Sequence, residues 1–146
     1  MIRARKITYI YFIFILMIMI PGCKQIKEED LYGTWVAKYP FGTEKLVLYS
    51  NGEYYQHVNV IFNGISKSTT NKGRWKYDIQ DRNITLENAL VVDDGFGKLK
   101  KDYNIPYVGY IVSPVSKLFP WSPLKIETNP DCGYFFVKEK DDSPMK

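Results

Sequence analysis

Two cysteines, Cys23 and Cys132, and one histidine, His57, are the only thiols and imidazole in a chain of 146 residues. A thiol reacts as its thiolate, which needs an electropositive setting or a neighbouring base. Cys132 lies in Asn129-Pro130-Asp131-Cys132-Gly133, a turn-like stretch with no histidine near it in sequence, and reads as inert. His57 falls in a strand-like run and reads as a surface residue. The sequence holds no Gly-x-Ser-x-Gly elbow, no Ser-x-x-Lys pair and no His/Cys/Asp cluster at metal-ligand spacing. Its 16 acidic residues are plentiful, but no spacing singles out a pair for acid–base work. Asp93-Asp94-Gly95 opens like a calcium loop, yet the later oxygen ligands and the closing glutamate are missing. The expectation is a non-enzymatic protein without metal or cofactor.

Cys23 differs from Cys132 because of what precedes it. Residues 1–6 carry Arg3, Arg5 and Lys6, and residues 7–20 follow as an uncharged run that is apolar apart from Thr8. Such a basic stretch followed by an apolar one is the layout of an export signal. At 14 residues the run is shorter than the roughly 18 or more that a permanent membrane helix needs, so a transmembrane anchor is the second reading. Pro21 breaks the helix and leaves extended backbone, and Gly22 presents no side chain to a peptidase.

The tetrad Ile20-Pro21-Gly22-Cys23 resembles the lipobox of bacterial lipoproteins: an aliphatic residue, a variable one, a small one and the cysteine. The resemblance implies cleavage between Gly22 and Cys23 and a diacylglycerol on the Cys23 thiol. A plain secretory signal with an incidental cysteine is the alternative. Lys24 is not the aspartate that retains many such proteins in the inner membrane, so the resemblance implies the outer membrane, facing the periplasm, in a Gram-negative host. With Cys23 acylated, Cys132 has no disulfide partner.

Loss of residues 1–22 takes the basic count from 20 to 17 against 16 acidic residues, leaving 124 residues near neutrality. No basic stripe with interleaved aromatics remains, which argues against nucleic acid as a partner. Residues 23–30 are polar after Cys23 apart from Ile26 and read as a lipidated end and short tether, with a reach of roughly 25 Å if extended. Residues 138–146 read as a disordered tail, and the domain is placed at 31–137.

Within it, runs at 32–39, 44–50, 53–62, 73–79 and 84–87 are rich in aromatic and β-branched residues. Turn formers separate them, including Asn51-Gly52 and Asn63-Gly64. A three-residue Ser50-Asn51-Gly52 loop places Leu48 opposite Tyr54 and puts Leu46, Leu48, Tyr54, Val58 and Val60 on one face. A two-residue turn would instead face Leu46 with His57, so the first register is preferred. Gly33-Thr34-Trp35 recurs as Gly73-Arg74-Trp75, and each tryptophan is followed 11 residues later by a leucine, Leu46 and Leu86. Each unit reads as a strand with an inward tryptophan, a loop and a strand with an inward leucine, the pattern of an antiparallel meander.

Leu31-Tyr32-Gly33-Thr34-Trp35 resembles the Gly-x-Trp motif on the first strand of lipocalin-like barrels. The resemblance covers about 31–90 and implies an all-β meander closed into a small barrel, its base plugged by Trp35. Gly33, Trp35, Gly73 and Trp75 are the expected base motif. The chain is shorter than most lipocalins, and no later basic residue that packs on the tryptophan is evident in the sequence.

Beyond Leu90 the pattern weakens. Residues 91–103 are polar and glycine-containing and read as a mobile loop, and 116–119 as a short helical turn. Residues 103–123 gather Tyr103, Tyr107, Tyr110, Phe119 and Trp121 with four prolines, which forbid one long regular strand. One reading makes 107–112 a further core strand with a packed covering loop. The other makes the five aromatics a binding lip. The expected function is an envelope lipoprotein that binds another envelope protein, with a lipocalin-like carrier or sensor of a small apolar ligand as the alternative. Large inward residues favour the first and small ones the second.

Overall fold

A computed structural model describes residues 25–101, 108–119 and 121–139, which excludes Gly22 and Cys23, Tyr103 and Tyr107, and all but two residues of the expected tail. Eight strands in chain order form a closed antiparallel barrel: β1 (Gly33–Tyr39), β2 (Gly42–Leu48), β3 (Glu53–Phe62), β4 (Ile65–Asp78), β5 (Asn83–Leu90), β6 (Val108–Ser116), β7 (Lys125–Asn129) and β8 (Tyr134–Lys138). Each strand pairs with its neighbours in sequence, and β1 closes on β8 through Trp35 opposite Lys138 and Val36 opposite Val137. The all-β meander and its closure agree with the sequence reading.

Alternation decides which side chains enter the barrel. Trp35, Ala37 and Tyr39 of β1 are buried, as are Leu46 and Leu48 of β2 and Tyr54, Val58 and Val60 of β3. The first hairpin loop follows from the same row. Leu48 faces Tyr54, Tyr49 N–H donates to Glu53 O, and Gly52 turns at φ +78°, a left-handed conformation that glycine adopts without steric cost. The second Asn-Gly behaves differently. Asn63 and Gly64, at φ +51° and +77°, join the paired residues Phe62 and Ile65 by a two-residue turn whose twist matches the strands.

The two Gly-x-Trp units are repeated structural units. Trp35 lies opposite Leu46 and Trp75 opposite Leu86. Both indoles are buried and both donate to a backbone carbonyl, Trp35 Nε1 to Leu31 O at 2.8 Å and Trp75 Nε1 to Tyr49 O at 3.0 Å. An indole N–H removed from water needs such an acceptor. Gly73 is required sterically, since a Cβ there would lie 2.2 Å from Glu87 O and 2.6 Å from the Tyr54 ring.

The barrel claims more chain than the sequence suggested. Lys138 stands over the Trp35 ring, 5.8 Å from its centroid, while its Nζ donates to Asp30 O at 2.8 Å. It is a basic residue on the tryptophan, and it belongs to β8 rather than to a tail; Glu139 N–H also bonds Thr34 O. At the other end Ile26 is buried, Tyr77 Oη donates to its carbonyl, and Glu28–Leu31 forms a 3-10 turn ending in the buried Leu31. From Ile26 onward the segment read as a tether packs on the barrel. β4 starts at Ile65, eight residues before the expected run, because its first half, Ser66 to Lys72, lacks the apolar alternation that betrays a strand. Residues 116–119 form no helix: Ser116 ends β6, and a bend follows.

Two ends can now be distinguished. The base carries the N-terminal 3-10 turn, the β2–β3 and β4–β5 turns and the β6–β7 loop. The mouth carries the β1–β2, β3–β4, β5–β6 and β7–β8 connections.

Candidate functional site at the barrel mouth

The base of the barrel is solid. Leu31, Trp35, Leu46, Leu48, Tyr54 and Trp75 fill it, none of them more than 3% exposed. Toward the mouth the inward rows change character. β1 ends in Tyr39, the buried row of β2 begins with Glu44, and β3 places Gln56 between Tyr54 and Val58. All three are buried.

They form one network. Tyr39 Oη donates to Glu44 Oε2 at 2.7 Å, and Gln56 Nε2 donates to Glu44 Oε1 at 2.5 Å. Gln56 also donates to Leu90 O at 3.0 Å and accepts from Leu90 N–H at 2.8 Å. Its amide thus does the work of a strand neighbour where β5 breaks register between Leu86 and Ala89, at Asn88 with φ +60°. Burial pushes the Glu44 carboxyl up to about 7, against the opposing effect of the two hydrogen bonds it accepts. Burial, and then the adjacent Glu44, push the Tyr39 hydroxyl well above its ordinary range, so it stays a donor.

Beyond this network lies a cavity of about 320 Å³. Leu86, Leu90, Ile111 and Phe136 give it apolar walls, and Tyr39, Glu44, Asp93, Ser113 and Asn129 contribute polar groups. Among the described residues no lysine, arginine or histidine lines it. The seam between β6 and β7 borders the cavity: the strands pair only at Val115 with Ile126 and Ser116 with Lys125, leaving Ile111 and Ser113 unpaired across from Thr128 and Asn129.

Asp93 comes from the loop expected after Leu90, which carries internal hydrogen bonds over its described residues 91–101. Asp93 pairs with Leu99 in an isolated bridge, and Asp93 Oδ1 accepts the N–H groups of Gly95 and Gly97 and the Asn129 amide. Asp94 Oδ1 takes the N–H groups of Phe96 and Lys98. Asp93 Oδ2 is buried and, among the described residues, has no hydrogen-bond partner. A buried polar atom left unbonded typically costs about 1–3 kcal/mol, so such atoms favour a donor when one arrives.

The residues expected to form one aromatic lip are distributed. Tyr110 is exposed on the outer face of β6 near the mouth. Phe119 and Trp121 lie past the other end of that strand, stacked with ring centroids 5.3 Å apart. The six residue steps of β6 from Tyr110 to Ser116 separate the two places by about 20 Å. Tyr103 and Tyr107 fall outside the described residues. Gly33, Trp35, Gly73 and Trp75 are together at the base, and Gly22 and Cys23 are not described.

The mouth residues were missed by sequence reasoning although parity marked them. Glu44 shares the row of Leu46 and Leu48, and Gln56 that of Tyr54 and Val58, so two polar residues interrupt inward rows. Among the described residues no group of three or more metal-ligating side chains occurs, and no helix is long and apolar enough to cross a membrane. Comparison with family models, with curated proteins and with solved structures finds no match.

Proposed function

We propose that this chain is a lipid-anchored envelope protein whose barrel mouth binds a small ligand with an apolar body and a cationic or hydrogen-bond-donating group, without catalysis. The observation that carries the reading is the cavity with Glu44 and Asp93 in its lining and, among the described residues, no basic side chain beside them. A protonated amine would supply the donor that Asp93 lacks and offset the negative charge that burial disfavours on Glu44. This shifts the preference from a protein-binding module with a filled barrel to a carrier or sensor, because only the base is filled.

The test compares phenethylamine with phenylacetate, which share a body and differ in charge. The amine is expected to bind by calorimetry at neutral pH and to lose most of its affinity in Asp93→Asn, whereas phenylacetate does not bind. Equal binding of the two, or none by either, overturns the reading. A protein partner on the outer face of β6 is favoured by one observation: Val108, Tyr110 and Val112 are exposed at alternate positions beside the unpaired part of the seam. Retention of an envelope protein in place of amine binding would support that reading.

Anchoring rests on Ile20-Pro21-Gly22-Cys23 after the apolar run. Cys23→Ser is expected to abolish incorporation of labelled fatty acid and to leave unprocessed precursor. Normal maturation and membrane partitioning of that variant would remove the lipoprotein reading.

A further inference from the structure

The base of the barrel exposes apolar side chains where the chain leaves toward Cys23. Gln25, Ile26 and Asp30 line one depression together with Lys117 and Leu124 of the β6–β7 loop. One residue, Lys24, separates Gln25 from Cys23 in the chain, so even taut backbone spans no more than roughly 7 Å between their Cα atoms. In that loop Leu118 is 82%, Phe119 49% and Trp121 79% exposed. These side chains are held out by a tight turn: Ser122 N–H donates to Phe119 O, Ser122 Oγ donates to the same carbonyl at 2.9 Å and accepts from Phe119 N–H at 2.9 Å. The aromatic rings stack nearly parallel, with an interplanar angle of 2°. A rigid turn loses little conformational entropy when it docks.

We propose that Lys117, Leu118, Phe119 and Trp121 dock on the bilayer leaflet that holds the acyl chains of Cys23, with the three apolar side chains entering the headgroup region. Tryptophan and phenylalanine combine a large apolar face with a preference for membrane interfaces, and the exposed Lys117 can keep its ammonium at the headgroups while its stem lies along the apolar surface. A single lipid anchor with a short free chain otherwise leaves the barrel's orientation loose. Docking of this loop fixes it, with the base down and the Glu44–Asp93 mouth turned away from the membrane. The inference rests on lipidation of Cys23 and is independent of what the mouth binds.

Tryptophan fluorescence tests it directly, because Trp35 and Trp75 are 0% and 3% exposed and Trp121 is the accessible indole. The full mature lipoprotein is reconstituted into phosphatidylethanolamine–phosphatidylglycerol vesicles containing phosphatidylcholine brominated on its acyl chains. Trp121 emission should shift to the blue, be quenched by the brominated lipid and lose most of its accessibility to acrylamide. Trp121→Phe should remove the lipid-quenched component while leaving the emission of the buried pair and the circular dichroism unchanged. Leu118→Ser combined with Phe119→Ser should restore acrylamide access to Trp121 without releasing the protein from the vesicles. If the protein floats with the vesicles but Trp121 is unquenched and open to acrylamide, the docking inference is overturned and the anchor stands. If the protein does not float, anchoring itself fails, and the inference fails with it.

Discussion

Trp35→Ala should lower the unfolding free energy by about 3–5 kcal/mol, the usual cost of truncating a large core aromatic. The site offers little scope for collapse. Trp35 is 0% exposed, is fixed by its bond to Leu31 O, lies opposite Leu46, and sits where β1 meets β8 with Lys138 above its ring. Truncation opens a cavity at the barrel's closing seam and leaves the Leu31 carbonyl without its donor. Since Lys138 also bonds Asp30 O, the N-terminal turn should loosen together with the seam. Chemical denaturation followed by circular dichroism measures the loss. A midpoint unchanged from wild type would contradict the assignment of Trp35 as the plug of the barrel base.

A second large effect is expected in pH dependence, and Glu44 sets its sign. Burial raises the folded-state pKa from 4.5 to about 7, so between these values the folded chain holds a proton that the unfolded chain has released. Stability from the neutral carboxyl is therefore fully present below about pH 4.5 and is lost as pH rises through about 7. The separation corresponds to a loss on the order of 3 kcal/mol across that window. Glu44→Gln removes the titration while retaining an oxygen that can accept from Tyr39 or Gln56. The difference between wild type and variant, measured by urea denaturation from pH 4 to 8.5, should fall with rising pH, the wild type losing ground to the variant. Parallel curves would show that Glu44 keeps an ordinary carboxyl and that its surroundings are wetter than the packing implies.

The periodic features of this protein were determined by sequence alone, and the proposed anchor rests on sequence alone. The apolar run ending at Cys23 is a local pattern and needs no fold to be read. Trp35 opposite Leu46, Trp75 opposite Leu86 and Leu48 opposite Tyr54 were legible because a strand's period of two allows only one register to bury the apolar set. β7 and β8 were not, since their short runs lie among prolines, and pairing with distant chain stabilises them: β8 owes its place to β1, about a hundred residues earlier.

Tertiary structure decided the site. Glu44 and Gln56 occupy inward rows that the sequence already marked; Tyr39, Glu44 and Gln56 meet across neighbouring hairpin strands, and curvature of the sheet brings Gln56 to the Leu90 backbone of β5. Asp93 reaches the cavity wall because Asn129, 36 residues away, holds one of its oxygens. Five aromatics close in sequence suggested one lip. A strand is a rigid spacer of about 3.3 Å per residue, and β6 separates Tyr110 at one end from Phe119 and Trp121 at the other. Hydrophobic alternation is a property of each strand and survives in the sequence, whereas the contacts of Gln56 with Leu90 and of Asp93 with Asn129 depend on how the sheet curls, which no local pattern records.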